Sequence, residues 1–144
     1  MSAPAEADHF LVPLLDGGHG LGQVARVEVD GTLDLLLTLR RDADGGPLSD
    51  AEIVATPRTP ASPFERGIWW RAGYHALPPL GRIDRTLATE WPPLQDPAVI
   101  EAFLNACHGL YPWDGFPDPE HFTAMLRPGV APPPSRTFSR PGTG

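Results

Sequence analysis

Hydrophobic positions along this chain recur with two periods: they alternate in the first half, as in strands with one buried face, and recur every three or four residues further on, as in helices. "HFLVPLL" reads as a short strand, and Pro13, which cannot donate to a ladder, predicts an edge or bulge there. "DGGHG", residues 16–20, is a glycine-rich turn, and "LGQVARVEVD" places Ala25, Val27 and Val29 on one face. Asp30 and Gly31 form a hairpin signal, after which "TLDLLLTLRR" alternates Leu33, Leu35, Leu37 and Leu39. These segments predict an antiparallel meander of three strands. The polar, Gly- and Pro-broken stretch that follows predicts a connection with one helical turn near Ser49.

A fourth strand is expected in "GIWWRAGYHAL", with Ile68, Trp70, Ala72 and Tyr74 on one face and Trp69, Arg71 and His75 on the other. Each face carries a large ring, so either both are covered or one tryptophan faces a partner. Beyond it, Asp96 and Pro97 are an N-cap and first-turn pair, and Val99, Ile100, Phe103, Leu104 and Cys107 form a helical stripe that Gly109 ends. Asp118 and Pro119 repeat the pair before a shorter helix with Phe122, Met125 and Leu126 buried and Pro128 as its stop. "GLYPWDGFP" then links two helices, with Tyr111, Trp113 and Phe116 wedged between helices and sheet. The expected organisation is one α+β domain over residues 8–127, mainly β over 8–92 and helical over 93–127, with a disordered Pro- and Gly-rich tail at 128–144.

Composition narrows the function classes. The 144 residues suit a single domain, and the net charge of -7 disfavours nucleic acid as a partner while suiting a basic protein. All basic side chains are Arg. No apolar run reaches the roughly 20 residues of a membrane span, and "MSAPAEADHF" lacks the regions of a signal peptide, so a cytoplasmic protein is expected. A single cysteine, Cys107, leaves no internal disulfide and no cysteine-rich zinc site.

Candidate chemistry is sparse. "DGGHGLG" lacks the lysine of a P-loop and leads into another strand, so it reads as a hairpin turn. The histidines, His9, His19, His75, His108 and His121, show no metal-binding helical spacing, and neither a metal nor a cofactor is expected. Cys107 and His108 point about 100° apart on a helix, which favours a buried structural cysteine over a nucleophile. Asp118 and Glu120 have places in a helix start, leaving Asp114 the least explained acid. There is no GxSxG elbow. An enzyme is thus the weaker reading; its best version is a small hydrolase or metal-dependent enzyme using Asp16, His19, His75 and Asp114.

The segment "DHFLVPLLDGGHGLGQVARV" resembles immunity-protein family 26 of bacterial polymorphic toxin systems. Phe10, Val12, Pro13, Leu14, Asp16, Gly17, Gly20, Gly22 and Val24 match that family's opening pattern, and "GIWWRAGYHALPPLG" looks like its Trp-containing strand. The likeness covers residues 8–81; His19 replaces a common aromatic, and Ala7 and Asp8 stand where Gly-Asp is usual. It implies an α+β fold with a strongly bent antiparallel sheet, a small SH3-like or half-open barrel of about four to six strands, with two C-terminal helices. It also implies neutralisation of a cognate toxin protein by binding, without chemistry, and acidity suits a basic nuclease. The expected contacts are Trp69 or Trp70, whichever is exposed, with an acidic rim drawn from Asp30, Asp34, Asp42, Asp44, Asp50, Glu52 and Asp114.

Overall fold

The computed structural model describes residues 4–42, 45–82 and 94–139. They form a small α+β protein with a six-stranded antiparallel sheet and three short helices. The strands are β1 (Asp8–Pro13), β2 (His19–Val27), β3 (Leu33–Thr38), β4 (Ile53–Ala55), β5 (Arg58–Thr59) and β6 (Trp70–Tyr74). The helices are α1 (Ser62–Glu65), α2 (Pro97–Cys107) and α3 (His121–Met125).

The expected meander forms: β1 pairs with β2 and β2 with β3, each antiparallel. The sheet order is β4, β3, β2, β1, β6, with β5 also on β3. Hence β1 lies inside the sheet, contrary to an edge position suggested by Pro13. The proline is tolerated because pairing with β6 ends at Leu11, leaving no ladder partner for the missing N–H. The alternation expected of Ala25, Val27 and Val29 also breaks, at a bulge between Val24 and Arg26. Val24 and Ala25 are consequently both buried, on opposite faces, while Val27 and Val29 face solvent.

β4 and β5 behave as one edge strand interrupted at Thr56 and Pro57, since both pair with β3 and Leu35 N donates to the intervening Pro57 carbonyl at 2.9 Å. The turn near Ser49 is a single 3-10 turn, Asp50–Glu52, whose Glu52 carboxylate accepts from Ser49 N at 2.8 Å.

One sheet face carries the main core, in which Phe10, Val12, Leu35 and Leu37 meet Phe64, Trp69 and the α2 residues Ile100, Phe103 and Leu104. The other face is also covered: Ala25, Leu36 and Ile53 pack against Leu77 and Leu80, so β3 is buried along its whole length. α2 follows the expected pattern, with Asp96 accepting from Ala98 N at 2.8 Å and Gly109 in the left-handed region at φ 75°.

α3 starts later and ends sooner than expected. Asp118 caps the preceding turn by accepting from Glu120 N at 2.9 Å, and Arg127 N donates to Val54 O at 2.8 Å, drawing the chain to the edge of β4. Between α2 and α3, Tyr111, Trp113 and Phe116 ring Phe122 at centroid distances of 6.1, 5.6 and 4.7 Å, so this aromatic loop is architecture. The described part of the expected tail is tied down. Trp113 N donates to Thr137 O at 2.8 Å, and the Arg136 guanidinium lies 5.4 Å from the Trp113 ring. A polar backbone is held here because it meets hydrogen-bond partners and one aromatic face, without needing an apolar stripe of its own.

Candidate functional site

The most exposed strand is β6. It arises where "GIWW" leaves α1: Trp69 turns into the core and Trp70 begins pairing with Leu11 of β1. A bulge follows between Arg71 and Gly73, and Gly73 adopts φ 152°, a conformation that L side chains rarely take. The strand pairs only with β1, and four of its five residues are exposed. Its outer row of main-chain groups meets no further strand among the described residues.

The two adjacent tryptophans thereby part. Trp69 is 0% exposed, stacks on Phe10 at 5.6 Å, meets Phe64 edge-on at 5.7 Å, and donates from Nε1 to Glu101 Oε2 of α2 at 3.1 Å. It is a core residue. Trp70 is 41% exposed and Tyr74 71% exposed. The His19 imidazole meets the Trp70 ring edge-on at 5.0 Å, reaching across β1 from β2 and orienting the indole. Arg71 is held beside the strand by Asp8, with Nη1 to Oδ2 at 3.2 Å.

The candidate acids do not gather into one rim. Asp34 is 1% exposed and lies 3.8 Å from the Arg58 guanidinium, which also grips Glu28 at 2.9 Å. Asp50 accepts from Leu80 N at 2.9 Å, fixing the segment that covers the second sheet face. Glu52 pairs with Arg40 at 2.7 Å, and that hydrogen bond holds its carboxyl at about 2. Asp114 is buried and accepts from Ser139 N and Oγ at 2.7 and 2.9 Å, so the least explained acid anchors the tail. Asp30 is exposed and accepts from Thr32 N at 3.0 Å in the hairpin turn, which lowers its carboxyl pKa; Asp42 is exposed. Asp44 lies outside the described residues.

The residues of the enzyme alternative, Asp16, His19, His75 and Asp114, each contact a different neighbour. Asp16 binds Arg41 at 2.6 Å, His19 contacts Trp70, His75 contacts the His9 ring at 4.4 Å, and Asp114 holds Ser139. Among the described residues no group of three or more His, Cys, Asp or Glu is placed to hold a metal ion. Burial pushes the Cys107 thiol up to about 12, which leaves it protonated and unreactive at neutral pH. Two cavities, of about 350 and 500 Å³, lie beside the β2–β3 hairpin and between α3 and the β4–β5 break. Among the described residues, no helix is long and apolar enough to cross a membrane.

Sequence reasoning found both tryptophans but not which one was free. It missed the role of His19, for which the period-two register across β1 is the only sequence signal. The chain matches no known protein family, no curated protein and no solved structure.

Proposed function

We propose that this protein is an immunity protein that binds and neutralises a cognate bacterial toxin domain, and that the β6 edge is its docking site. The observation that carries the reading is the exposed strand β6, which pairs with β1 alone among the described residues and bears Trp70 and Tyr74. Aromatic side chains of this kind supply most of the energy of protein interfaces, and an open strand offers main-chain groups for a partner's extended segment. The resemblance to immunity-protein family 26 through Phe10, Val12, Pro13, Asp16 and the following glycines supports the same class. A net charge of -7 suits a basic partner such as a nuclease, because complementary fields speed encounter. In this reading the sheet is the bent, half-open barrel of that family, buttressed by its two C-terminal helices, and the complex forms in the cytoplasm.

The test is affinity capture from the source cells with the tagged full chain, repeated with Trp70→Ala and followed by expression of the captured protein alone. A basic protein that is held by the wild type, lost by Trp70→Ala, and toxic unless the chain is co-expressed supports the reading. A neutralised toxin held equally by Trp70→Ala moves the docking site away from β6. Captured proteins that are harmless by themselves remove the immunity function.

A further inference from the structure

The seam between β1 and β6 contains buried polar groups that docking does not use. His9 of β1 lies opposite Gly73 of β6 and Gln23 of β2, is fully buried, and among the described residues has no hydrogen-bond partner at either ring nitrogen. Its ring is 4.4 Å from that of His75, the residue that follows β6. Gln23 is equally buried: its Nε2 donates to the carbonyls of Ala7 and His75 at 3.0 and 2.8 Å, and its Oε1 meets no donor among the described residues. Beyond its ladder pairing of Gly73 and Tyr74 with His9 and Asp8, the C-terminal end of β6 is held by one amide, by a long His75 N to Ala7 O bond of 3.4 Å, and by the Asp8–Arg71 pair on the opposite face. Ala7 itself sits at φ 75°, a left-handed conformation disfavoured for any residue with a Cβ. Unmet polar groups and backbone strain therefore meet where an edge strand is held from one side only.

We infer that His9 is an acid-sensitive latch: when it takes up a proton, the end of β6, and with it the Trp70 edge, is released from β1. The groups bearing on the ring are His75 and Arg40, with neutral Gln23 opposite on β2; the Arg40 guanidinium cannot accept from an imidazolium and is itself held by Glu52. A protonated His9 is thus a buried cation with the Arg40 guanidinium bearing on it, and opening the seam to water relieves it. Desolvation, then His75 and Arg40, lower the His9 pKa from 6.5 to about 4. In the open seam the ring returns to its ordinary value. Between about 6.5 and about 4 the open state binds more protons than the closed one, so the opening constant rises about tenfold per unit of falling pH across that window. Opening stays local because β6 has one strand neighbour, whereas β2 and β3 are paired on both sides. That acid also weakens toxin binding rests on the proposed docking site; the opening itself does not.

The measurement is amide hydrogen exchange of the full chain without partner, as a function of pH and corrected for intrinsic exchange rates. The expected result is that amides of residues 70–75 lose protection about tenfold per pH unit below about 6.5 while β2 and β3 amides hold theirs. In His9→Phe, which keeps a ring and removes the titration, the slope disappears; His9→Gln serves if the phenylalanine does not fold. An undiminished slope in both variants, or one abolished by Asp8→Asn alone, overturns the latch and assigns acid sensitivity to the Asp8–Arg71 pair. Simultaneous loss of protection in β3 also overturns it, as global unfolding. Because no partner is present, failure here leaves the docking reading intact, and failure to capture a toxin leaves the latch intact.

Discussion

At the β4–β5 edge, neighbouring chain takes up the outward main-chain groups. Arg127 donates from its backbone to Val54 O, from Nε to Ile53 O and from Nη2 to Asp50 O, at 2.8, 2.9 and 2.9 Å, and Gln95 N donates to Arg58 O at 2.8 Å. At the β6 edge nothing comparable occurs among the described residues: the strand is short, bulged and bears the exposed Trp70 and Tyr74. An exposed edge invites unwanted pairing, and proteins ordinarily cover, shorten or bulge it. Here one edge is covered, while the other is shortened and bulged yet retains two exposed aromatic rings. The contrast shows two ways of managing a sheet edge: Arg127 and Gln95 donate to carbonyls along one, while shortening and a bulge blunt the other.

The largest effect is expected at the residue that separates core from surface. Trp69→Ala removes a fully buried indole and should cost about 3–5 kcal/mol in urea unfolding. Its neighbour should do the reverse: Trp70→Ala changes stability by less than about 1 kcal/mol but, under the proposed docking at β6, weakens binding of the proposed toxin partner by roughly 2 kcal/mol or more, about 30-fold in Kd by titration calorimetry. Equal losses of stability in both variants would erase the distinction between the two rings.

Arg127→Ala probes the closed edge. It leaves the carbonyls of Ile53 and Asp50 without their guanidinium donors, and should cost roughly 1.5 kcal/mol in urea unfolding. It should also raise hydrogen exchange in β4 while leaving β6 unchanged. A matching rise in β6 would mean that the edges are not independent.

The smallest effect is electrostatic. Arg40 holds the Glu52 carboxyl at about 2 against an ordinary 4.5, so its stabilisation is complete above about 4.5 and is lost as pH falls toward about 2. The pair is partly solvated, with 34% of the Glu52 side chain exposed, so Glu52→Gln should remove no more than about 1 kcal/mol. Urea unfolding above and below that window checks it. The window lies below that of His9, so acid is expected to loosen the β6 seam before it weakens the Arg40–Glu52 pair.

Much of the fold was legible because its signals are local. Asp96, Pro97 and Gly109 mark the ends of α2 through backbone chemistry that needs no distant partner, and Asp30 with Gly31 marks the β2–β3 hairpin. The misreadings share a different origin. The α3 boundary moved because Arg127 binds β4, and the tail was held because Asp114 binds Ser139; both contacts join residues far apart in sequence or lacking an apolar pattern. Burial takes Asp34 and Asp114 out of the expected acidic rim for the same reason, and Asp50 and Glu52 likewise meet partners that charge patterning does not reveal.

The sequence by itself determined the three-strand meander, the ends of α2, the lack of an internal disulfide and the presence of two adjacent tryptophans that face opposite ways. The tertiary structure decided which tryptophan is free, because alternation says only that neighbours face opposite ways. Which way is open depends on where α2 packs. It also decided the burial of His9. Alternation puts His9 opposite Phe10 and Val12, toward a face that would be wet in a two-layer protein, but Leu77 and Leu80 help cover that face. Edge, burial and electrostatic environment depend on the order in which strands assemble, and that order is set by the summed packing of distant segments, not by any local run of residues.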